Sequence, residues 1–355
     1  MSSYIHPTRR LVAAIGVVAL LGAGCSTAAE RIPPEQTTLA RSPDSSIPTV
    51  PITTSTSAMP NRGERRLFGF GLSPQSYQGD DLPRFLDRIT DNADVLMHAG
   101  DWGELDGTVF DVAASLARKT GLDFVAVVSP NAAEEMIRPL DDATRERYLA
   151  SLRRFVVEQR PAFLGLGNEV NMLATDDPEA FETVVSLWED ARTIVRAESP
   201  DTVVFVTFQL EWLLGYRGGW FGRSAVEPQW DIVQRFAGAD AIGFTTYPSL
   251  VFDDPVDLPA EYFTQIGDRT DLPVIFTEIG WTTLDTLPLL PGSEAEQVSF
   301  IDVFAAQTET LDTRLAVWAF VRADLVSQQP FRGMDLVRPD GTYRPAWQRW
   351  LDLRG

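Results

Sequence analysis

The stretch FLGLGNEVNM, residues 163–172, begins like a buried strand and ends in an amide and a carboxylate side by side. Its apolar residues suit the interior of a sheet, whereas Asn168 and Glu169 are costly to bury unless they are hydrogen-bonded or paired. Two interpretations follow from this pattern. Either the strand emerges into an ordinary polar loop, or its end holds Glu169 at a site that uses the carboxylate.

A similar transition recurs along the chain after residue 65. An apolar run is followed by a polar loop and then by a segment with helical periodicity. The predicted strands are, in chain order, Arg66–Leu72, Ala93–Ala99, Asp123–Ser129, Ala162–Asn168, Thr202–Phe208, Asp240–Tyr247, Pro273–Ile279 and Leu315–Val321. They begin about 27 to 42 residues apart, which is the length of a strand–helix unit with variable loops. These units predict an α/β fold with a single (β/α)8 TIM barrel over residues 65–355. An open doubly wound sheet is the alternative, but no glycine-rich phosphate fingerprint follows the first strand.

The segments between the predicted strands carry apolar residues at helical spacing. In residues 145–159 (RERYLASLRRFVVEQ), Tyr148, Leu152 and Phe155 fall on one helical face. A further helix is predicted to begin at Pro178, because proline is favoured in the first turn of a helix.

Residues 1–24 indicate an export signal, in which Arg9 and Arg10 precede an apolar core at residues 11–21 that is too short for a comfortable transmembrane helix. Small residues before Cys25 resemble the bacterial lipoprotein cleavage box, with Cys25 as the lipidated residue. A plain secretory signal and a twin-arginine signal are the alternatives. Residues 25–64 are rich in Ser, Thr and Pro and predict an extended tether. The protein is therefore expected to be exported to the bacterial cell envelope and lipid-anchored to the membrane.

The composition argues against several classes of function. The formal net charge is −20, so the surface repels nucleic acid and favours neutral partners. Lysine occurs once, at Lys119, and histidine twice, at His6 and His98. These counts argue against two-histidine metal sites and Schiff-base chemistry, and they leave only His98 for a serine–histidine–aspartate triad. No metal and no cofactor are expected.

Glutamates end two of the predicted strands: Glu169 ends the fourth, and Glu278, in PVIFTEIGWTT, ends the seventh. The active site of such a barrel lies at the C-terminal ends of the strands, so the two carboxylates are expected across one barrel mouth. Retaining glycoside hydrolysis needs such a pair, one as acid and then base, the other as nucleophile. A solvated loop residue is the alternative for either glutamate alone. A general acid needs a raised pKa, whereas a nucleophile must stay ionised, so donors such as the Tyr247 hydroxyl are expected around Glu278.

Together these residues resemble the clan A glycoside hydrolases, which are retaining (β/α)8 enzymes, over nearly the whole chain after the tether. The resemblance implies that Glu169 is the acid/base, that Asn168 binds the sugar 2-hydroxyl, and that Glu278 is the nucleophile. It also implies that Tyr247 hydrogen-bonds the nucleophile and that Trp318 forms the floor of the sugar site. The stretch FTEIGWTT is similar to endo-galactanase and β-1,3-glucanase families, and GLGNEVNM suits galactanases equally well. The histidine that often precedes the acid/base in this clan is absent near Glu169, which leaves the substrate open.

Aromatic side chains at the barrel mouth are expected to stack on the apolar faces of sugar rings. The candidates are Trp102, Trp212, Trp220 and Trp281, with helix or loop packing as the alternative for each. Trp188, Trp347 and Trp350 lie on predicted helix faces and are assigned to packing.

Polar residues near the strand ends add further candidates. His98, at the end of the second strand, is a candidate for the pocket lining. Gln209 and Glu211, just past the fifth strand, could bind hydroxyls, but loop solvation is the favoured interpretation. Asp101 and Glu104 could be metal ligands, although acidic loops on so acidic a chain are usually solvated.

The sequence thus predicts a retaining glycoside hydrolase that cleaves the O-glycosyl bond of a neutral β-linked oligo- or polysaccharide by double displacement. It is expected to act as a monomer, held at the membrane through a lipid anchor at Cys25. A non-catalytic carbohydrate-binding or scaffolding lipoprotein on the same barrel is the alternative. The sequence leaves open the sugar, the linkage, endo versus exo action, and hydrolysis versus transglycosylation.

Overall fold

In the computed structural model, which describes residues 65–132 and 134–355, eight parallel strands close into a barrel. The strands are β1 (Leu67–Gly71), β2 (Val95–Asp101), β3 (Asp123–Ser129), β4 (Phe163–Gly165), β5 (Val203–Gln209), β6 (Ala241–Thr246), β7 (Val274–Ile279) and β8 (Thr313–Trp318). Each strand pairs with its neighbours in sequence, and β8 closes the barrel against β1. The predicted single (β/α)8 barrel is confirmed. The predicted signal segment, Cys25 and the tether lie outside the described residues.

Helices connect most of the strands. They are α1 (Asp81–Thr90), α2 (Val109–Thr120), α3 (Asp142–Gln159), α4 (Val170–Asp176), α5 (Pro178–Glu198), α6 (Leu210–Leu213), α7 (Glu294–Thr308) and α8 (Pro345–Asp352). Pro178 begins α5, and Tyr148, Leu152 and Phe155 are buried on α3, as predicted. Across residues 65–132 and 134–355, no helix combines the length and apolarity needed to span a membrane.

The β5–β6 and β6–β7 connections depart from the predicted strand–helix repeat, because 3₁₀ turns replace long α-helices there. The first connection contains Gly218, Gly219 and Gly222, and the second contains Pro248 and Pro255. Glycine and proline are the residues least favourable in a helix interior, so short turns form instead. The 3₁₀ turns span Gly219–Phe221, Trp230–Phe236, Pro248–Leu250, Pro255–Asp257 and Thr264–Ile266.

Side-chain alternation along the strands divides the core into two layers. In β8, Leu315 and Val317 join the apolar cluster that side chains of seven strands form inside the barrel. Ala316 and Trp318, on the opposite face of β8, join the larger cluster between the barrel and its helices. The phase of this alternation decides which strand-end side chains can face the barrel mouth.

Strand β7 contains one extra residue near its end. Phe244 of β6 pairs with Phe276, but the next residue of β6, Thr245, pairs with Glu278, and the pairing of β7 with β8 slips at the same point. Regular alternation would place Glu278 on the outward face with Phe276. The bulge shifts the alternation by one residue and turns Glu278 towards the barrel mouth.

Candidate active site

Glu169 lies just past the end of β4, at the residue that precedes α4. Its backbone has a φ of +51°, in the left-handed region that is uncommon for residues other than glycine. Such a conformation costs roughly 1–3 kcal/mol and persists where the surrounding structure enforces it. The Glu169 N–H donates to the Thr207 hydroxyl of β5 at 3.0 Å, which helps to hold this turn. The turn directs the carboxyl back over the barrel rather than into solvent.

The Glu169 carboxyl has no exposed surface. Its Oε1 accepts a 2.6 Å hydrogen bond from the Thr245 hydroxyl at the end of β6. Its Oε2 is buried without a hydrogen-bond partner among the described residues. One oxygen is therefore held by the protein, and the other is left for a further group.

Glu278 lies at the end of β7, directly beside Thr245 in the sheet. Thr245 therefore bridges the two glutamates, since its backbone pairs with one and its hydroxyl bonds to the other. The Tyr247 hydroxyl donates to Glu278 Oε2 at 2.5 Å. Glu278 Oε1 is buried and, in the part of the chain that is described, has no hydrogen-bond partner. Each glutamate thus keeps one anchored and one unanchored oxygen.

Burial raises the pKa of both carboxyls. It raises the pKa of Glu169 to about 7, against the hydrogen bond from Thr245, and the charges of Glu211 and Glu134 add to the rise. It raises the pKa of Glu278 to about 8; the charge of Glu169 adds to this, and the hydrogen bond from Tyr247 opposes it. The raised pKa agrees with the role expected of Glu169. The expectation that surrounding donors keep the pKa of Glu278 low is wrong, because the one donor, Tyr247, does not outweigh burial. Each carboxyl therefore keeps its proton to a higher pH than an exposed glutamate does.

The predicted sugar-binding residues Asn168 and Tyr247 lie next to the two glutamates. Asn168 is buried, and its side-chain oxygen accepts a 2.7 Å hydrogen bond from the Thr207 hydroxyl. That bond leaves the amide N–H groups of Asn168 as the available donors. The Tyr247 ring packs edge-on against Phe331 at 5.1 Å and is fully buried. The structure thus brings Asn168, Glu169, Tyr247 and Glu278 together at one end of the barrel.

A cavity opens beside Glu278 at the ends of β1, β2, β7 and β8. Its lining includes Ser73, Tyr77, His98, Glu278, Phe320 and Arg322. His98 therefore lies where the sequence placed it, with its Nε2 2.9 Å from a Glu104 carboxylate oxygen. Glu169 is not among the lining residues. The cavity reaches one of the two carboxyls, while the other is enclosed.

Three of the tryptophans predicted to bind sugar form part of the hydrophobic core instead. Trp318 is outward-facing on β8 and packs 5.4 Å from Trp350, with its indole N–H bonded to the Met334 carbonyl. Trp281 packs 5.4 Å from Phe300 of α7. Trp102 is buried and packs against Tyr148 of α3. The predicted roles of Trp102, Trp281 and Trp318 as sugar platforms are wrong, because none of the three has exposed ring surface.

Trp212 lies close to the site but is also fully buried. It joins Tyr247, Met334 and other side chains in a small apolar cluster at the barrel mouth. The Arg217 guanidinium carbon lies 3.8 Å from the Trp212 ring centroid, so a cation covers the ring. Stacking of a sugar on Trp212, as predicted, would require this cluster to open. Trp220 is only partly buried and packs against the same cluster.

Gln209 and Glu211 are buried, contrary to the prediction from sequence. Both were expected to be solvated loop residues, yet Glu211 has no exposed surface and Gln209 has 1%. The Glu211 carboxylate accepts hydrogen bonds from Gln209, Thr246, Tyr247 and Tyr262. The one signal in the sequence was their position directly after a strand end, the same position that singled out Glu169.

Asp101 and Glu104, considered as metal ligands, are occupied by other partners. Asp101 forms an ion pair with Arg138, and Glu104 pairs with His98. Among residues 65–132 and 134–355, no group of three or more His, Cys, Asp or Glu side chains is arranged to hold a metal ion.

Replacing Glu278 by glutamine should stabilise the protein increasingly as the pH rises. A carboxyl whose folded pKa is raised to about 8 contributes full stability below its ordinary pKa and loses it as the pH rises through about 8. Glutamine cannot ionise, so Glu278→Gln avoids this loss, which is at most about 4 kcal/mol by pH 8. Urea unfolding of both proteins at pH 5, 6.5 and 8 measures the difference.

The control for this experiment is Glu189→Gln on the exposed face of α5, which removes a solvated charge. Its effect should stay small at every pH. A stability gain for Glu278→Gln that does not grow with pH would contradict the raised pKa.

Comparison with known proteins finds chains that are similar to this one in structure but not in sequence. No family model and no characterised protein matches the chain by sequence. Xylanase 10B from Thermotoga maritima superposes with a TM-score of 0.57 at 9% identity, over 82% of this chain and 95% of the xylanase. The exo-β-1,4-mannosidase of Opitutaceae bacterium strain TAV5 gives 0.61 at 14% identity, over 85% of this chain and 62% of the mannosidase. The GH53 catalytic domain of Ignisphaera aggregans superposes with a TM-score of 0.54 at 11% identity, over 87% of this chain and 99% of that domain. At these identities the likeness shows a shared barrel fold.

Proposed function

We propose that this protein is a retaining glycoside hydrolase that cleaves a neutral β-linked saccharide by double displacement, with Glu169 as acid/base and Glu278 as nucleophile. The observation that carries the proposal is the pair of buried strand-end carboxyls joined through Thr245, each with one oxygen anchored and one unanchored. Two carboxyls across the mouth of a barrel are the groups that this reaction requires.

The reaction assigns one bond change to each carboxyl. Glu278 attacks the anomeric carbon through its unanchored oxygen, and the bond from that carbon to the leaving oxygen breaks as Glu169 donates its proton to that oxygen. The product is a glycosyl ester on Glu278 and a neutral alcohol. Water then attacks the anomeric carbon and gives its proton to Glu169, while the ester bond breaks and releases the Glu278 carboxylate.

The proton must reside on Glu169 when the first step begins. Glu278 borders the cavity and keeps 3% of its surface exposed, whereas Glu169 has none. Sugar hydroxyls that enter the cavity can therefore donate to Glu278, and such hydrogen bonds stabilise its charged form. Because the two carboxyls repel each other's charge, ionisation of Glu278 favours the proton on Glu169. Substrate binding thus adds donors at Glu278 to the one that Tyr247 supplies.

The proposed substrate is a neutral saccharide. A formal net charge of −20 disfavours acidic polymers, and no cofactor is needed for this chemistry. Solved structures with the same barrel include xylanases and a mannosidase, one of the xylanases in complex with xylobiose. A panel of purified neutral β-glucans, galactans, mannans and xylans, with products separated by chromatography, tests the class of substrate. Lack of cleavage across this panel would count against the proposal.

A second candidate function is carbohydrate binding without catalysis. It is favoured by one observation, the complete enclosure of Glu169 outside the cavity that borders Glu278. An acid/base must reach the glycosidic oxygen, so catalysis requires the side chains that enclose Glu169 to move aside. Calorimetry together with a reducing-end assay separates the two candidates. A binding protein gives a heat of saccharide binding but releases no reducing ends.

We also propose that the protein is exported and lipid-anchored at Cys25. Replacing Cys25 by serine should release most of the protein from membranes, because a single lipidated residue would be the anchor. Specific activity should stay unchanged, since Cys25 is not among the residues that form the described barrel. Immunoblots of membrane and soluble fractions measure the release, with Ser26→Ala as the matched control. Continued membrane association of Cys25→Ser would contradict lipidation as the anchor.

A further inference from the structure

Glu211 is a third buried carboxylate, and the proposed reaction gives it no chemical step. It follows β5 in the first turn of α6 and has no exposed surface. Its Oε1 accepts from the Thr246 hydroxyl at 2.7 Å, from the Tyr247 N–H at 3.1 Å and from the Tyr262 hydroxyl. Its Oε2 accepts from the Gln209 amide. Burying a carboxylate is costly, and this set of donors is what makes it tolerable.

The direction of these hydrogen bonds can be worked out from the groups involved. The Tyr247 backbone N–H can only donate. The Trp212 N–H donates to Gln209 Oε1 at 2.6 Å, which fixes the orientation of the Gln209 amide and leaves its NH₂ to donate to Glu211. Both Glu211 oxygens therefore face at least one obligatory donor. Burial raises the pKa of Glu211, and these donors oppose that rise because they stabilise the charged form. Glu211 differs in this from Glu169 and Glu278, each of which has an unanchored oxygen.

The donors of Glu211 converge on the residue that reaches the proposed nucleophile. Thr246 ends β6, and Tyr247 follows it directly. Glu211 bonds to both, at the side chain of Thr246 and the backbone of Tyr247. The hydroxyl of Tyr247 then donates to Glu278 at 2.5 Å. A chain of two contacts thus runs from Glu211 through Tyr247 to Glu278.

We infer that Glu211 is a positioning residue, whose buried carboxylate fixes the end of β6 so that Tyr247 keeps its hydrogen bond to Glu278. This inference rests on the proposed function, because it assigns Glu211 to the same reaction. Glu211 needs no contact with the substrate for this role. A small displacement of a positioned group can reduce turnover about 100-fold, so the expected loss lies in kcat rather than in KM.

The charge of Glu211 has a second consequence at Glu169. Several groups act on the Glu169 carboxyl from the elements around it: Thr245 donates to it, and the charges of Glu211 and Glu134 raise its pKa. The charge of Glu169 in turn raises the pKa of Glu278 and of Tyr247. Removing the Glu211 charge should therefore lower the pKa of Glu169. The alkaline limb of the kcat/KM profile, where the acid loses its proton, should move to lower pH.

The test compares Glu211→Gln, which removes the charge, with Glu211→Asp, which keeps the charge but shortens the side chain. We expect Glu211→Gln to reduce kcat about 10- to 100-fold with little change in KM, and to shift the alkaline limb to lower pH. Glu211→Asp should have a reduced kcat, but the alkaline limb of its profile should lie at the same pH as in the wild type. Glu189→Gln, on the exposed surface of α5, is the control for loss of one charge and should leave both parameters unchanged.

Tyr262→Phe guards against a folding artefact, because it removes one donor of Glu211 and retains the carboxylate. It should keep the alkaline limb and reduce kcat less than Glu211→Gln does. If Glu211→Gln lowers only the melting temperature, and its kcat and pH profile match those of the wild type below that temperature, Glu211 is merely structural and the inference is wrong.

A titration that needs no turnover separates this inference from the proposed function. Protein labelled with ¹³C at the glutamate carboxyl carbons is titrated by NMR, and the Glu169 signal is assigned by its loss in Glu169→Gln. Its midpoint should fall in Glu211→Gln relative to the wild type. An unchanged midpoint overturns the link between Glu211 and Glu169, even in an active enzyme. If the wild type cleaves no saccharide but the Glu169 midpoint still falls in Glu211→Gln, the result counts against the proposed function alone.

Discussion

Replacing Glu278 by alanine should abolish turnover whatever the leaving group of the substrate. Alanine offers no oxygen to attack the anomeric carbon, so the covalent route through the carboxyl that Tyr247 anchors closes. The expected loss in kcat is roughly 10⁴- to 10⁶-fold, the scale seen when a covalent nucleophile is removed from other enzymes. Initial rates on a polysaccharide and on an aryl glycoside with an acidic phenol measure it.

A covalent label identifies the nucleophile directly. A fluorosugar that forms its glycosyl ester quickly and loses it slowly should mark Glu278 and no other residue, as read by mass spectrometry of proteolytic peptides. Glu189→Ala on the exposed face of α5 should leave turnover and labelling unchanged. Wild-type turnover in Glu278→Ala, or a label on another residue, would remove Glu278 from the proposed role.

Replacing Glu169 by alanine should reduce the activity in a way that depends on the leaving group. Glu169 protonates the leaving oxygen, so its loss matters most for poor leaving groups such as a sugar hydroxyl. On a natural polysaccharide we expect a loss of about 10²- to 10⁴-fold, the usual contribution of acid–base assistance. On an aryl glycoside with an acidic phenol, the first step should largely survive and a glycosyl-enzyme should accumulate.

Burst kinetics and intact-protein mass spectrometry measure that intermediate in Glu169→Ala. A non-catalytic carbohydrate-binding protein cannot reproduce this contrast between the two glutamates, since it has no leaving group to discriminate. Equal losses for Glu169→Ala and Glu278→Ala on every substrate would contradict the separate roles. The enclosure of Glu169 adds a further expectation, because the side chains that enclose it must move before a substrate can reach it.

The proposed acid and nucleophile differ in what surrounds their unanchored oxygens. That of Glu278 belongs to a residue on the wall of the cavity, whereas that of Glu169 lies in a residue without exposed surface. Burial raises the pKa of Glu169 to about 7, which favours its protonated form below that pH and costs stability above it. This is the usual conflict between stability and function at a buried catalytic carboxyl, and the Glu278→Gln experiment measures it at the second carboxyl of the pair.

The barrel and the two strand-end glutamates could be predicted from local features of the chain. Strand spacing, β-branched runs and amphipathic segments are local features, and the barrel follows from repeating them eight times. Because all parallel strands of a barrel point the same way, residues that end two strands must share one rim. That is why Glu169, Glu278 and Tyr247 could be predicted to share one rim, and in the structure they lie together.

Which strand-end side chains face the mouth and which are enclosed depends on contacts that form only in the folded barrel. Trp318 is outward-facing because of its phase on β8, and Glu278 is turned inward by a single extra residue in β7. A bulge of one residue moves every later side chain of the strand to the opposite face of the sheet, and no local sequence pattern predicts it here. Glu211 is buried because Tyr262, Thr246 and other distant residues converge on it. Burial and hydrogen-bond partners depend on contacts far apart in sequence, so they emerge only when the barrel closes.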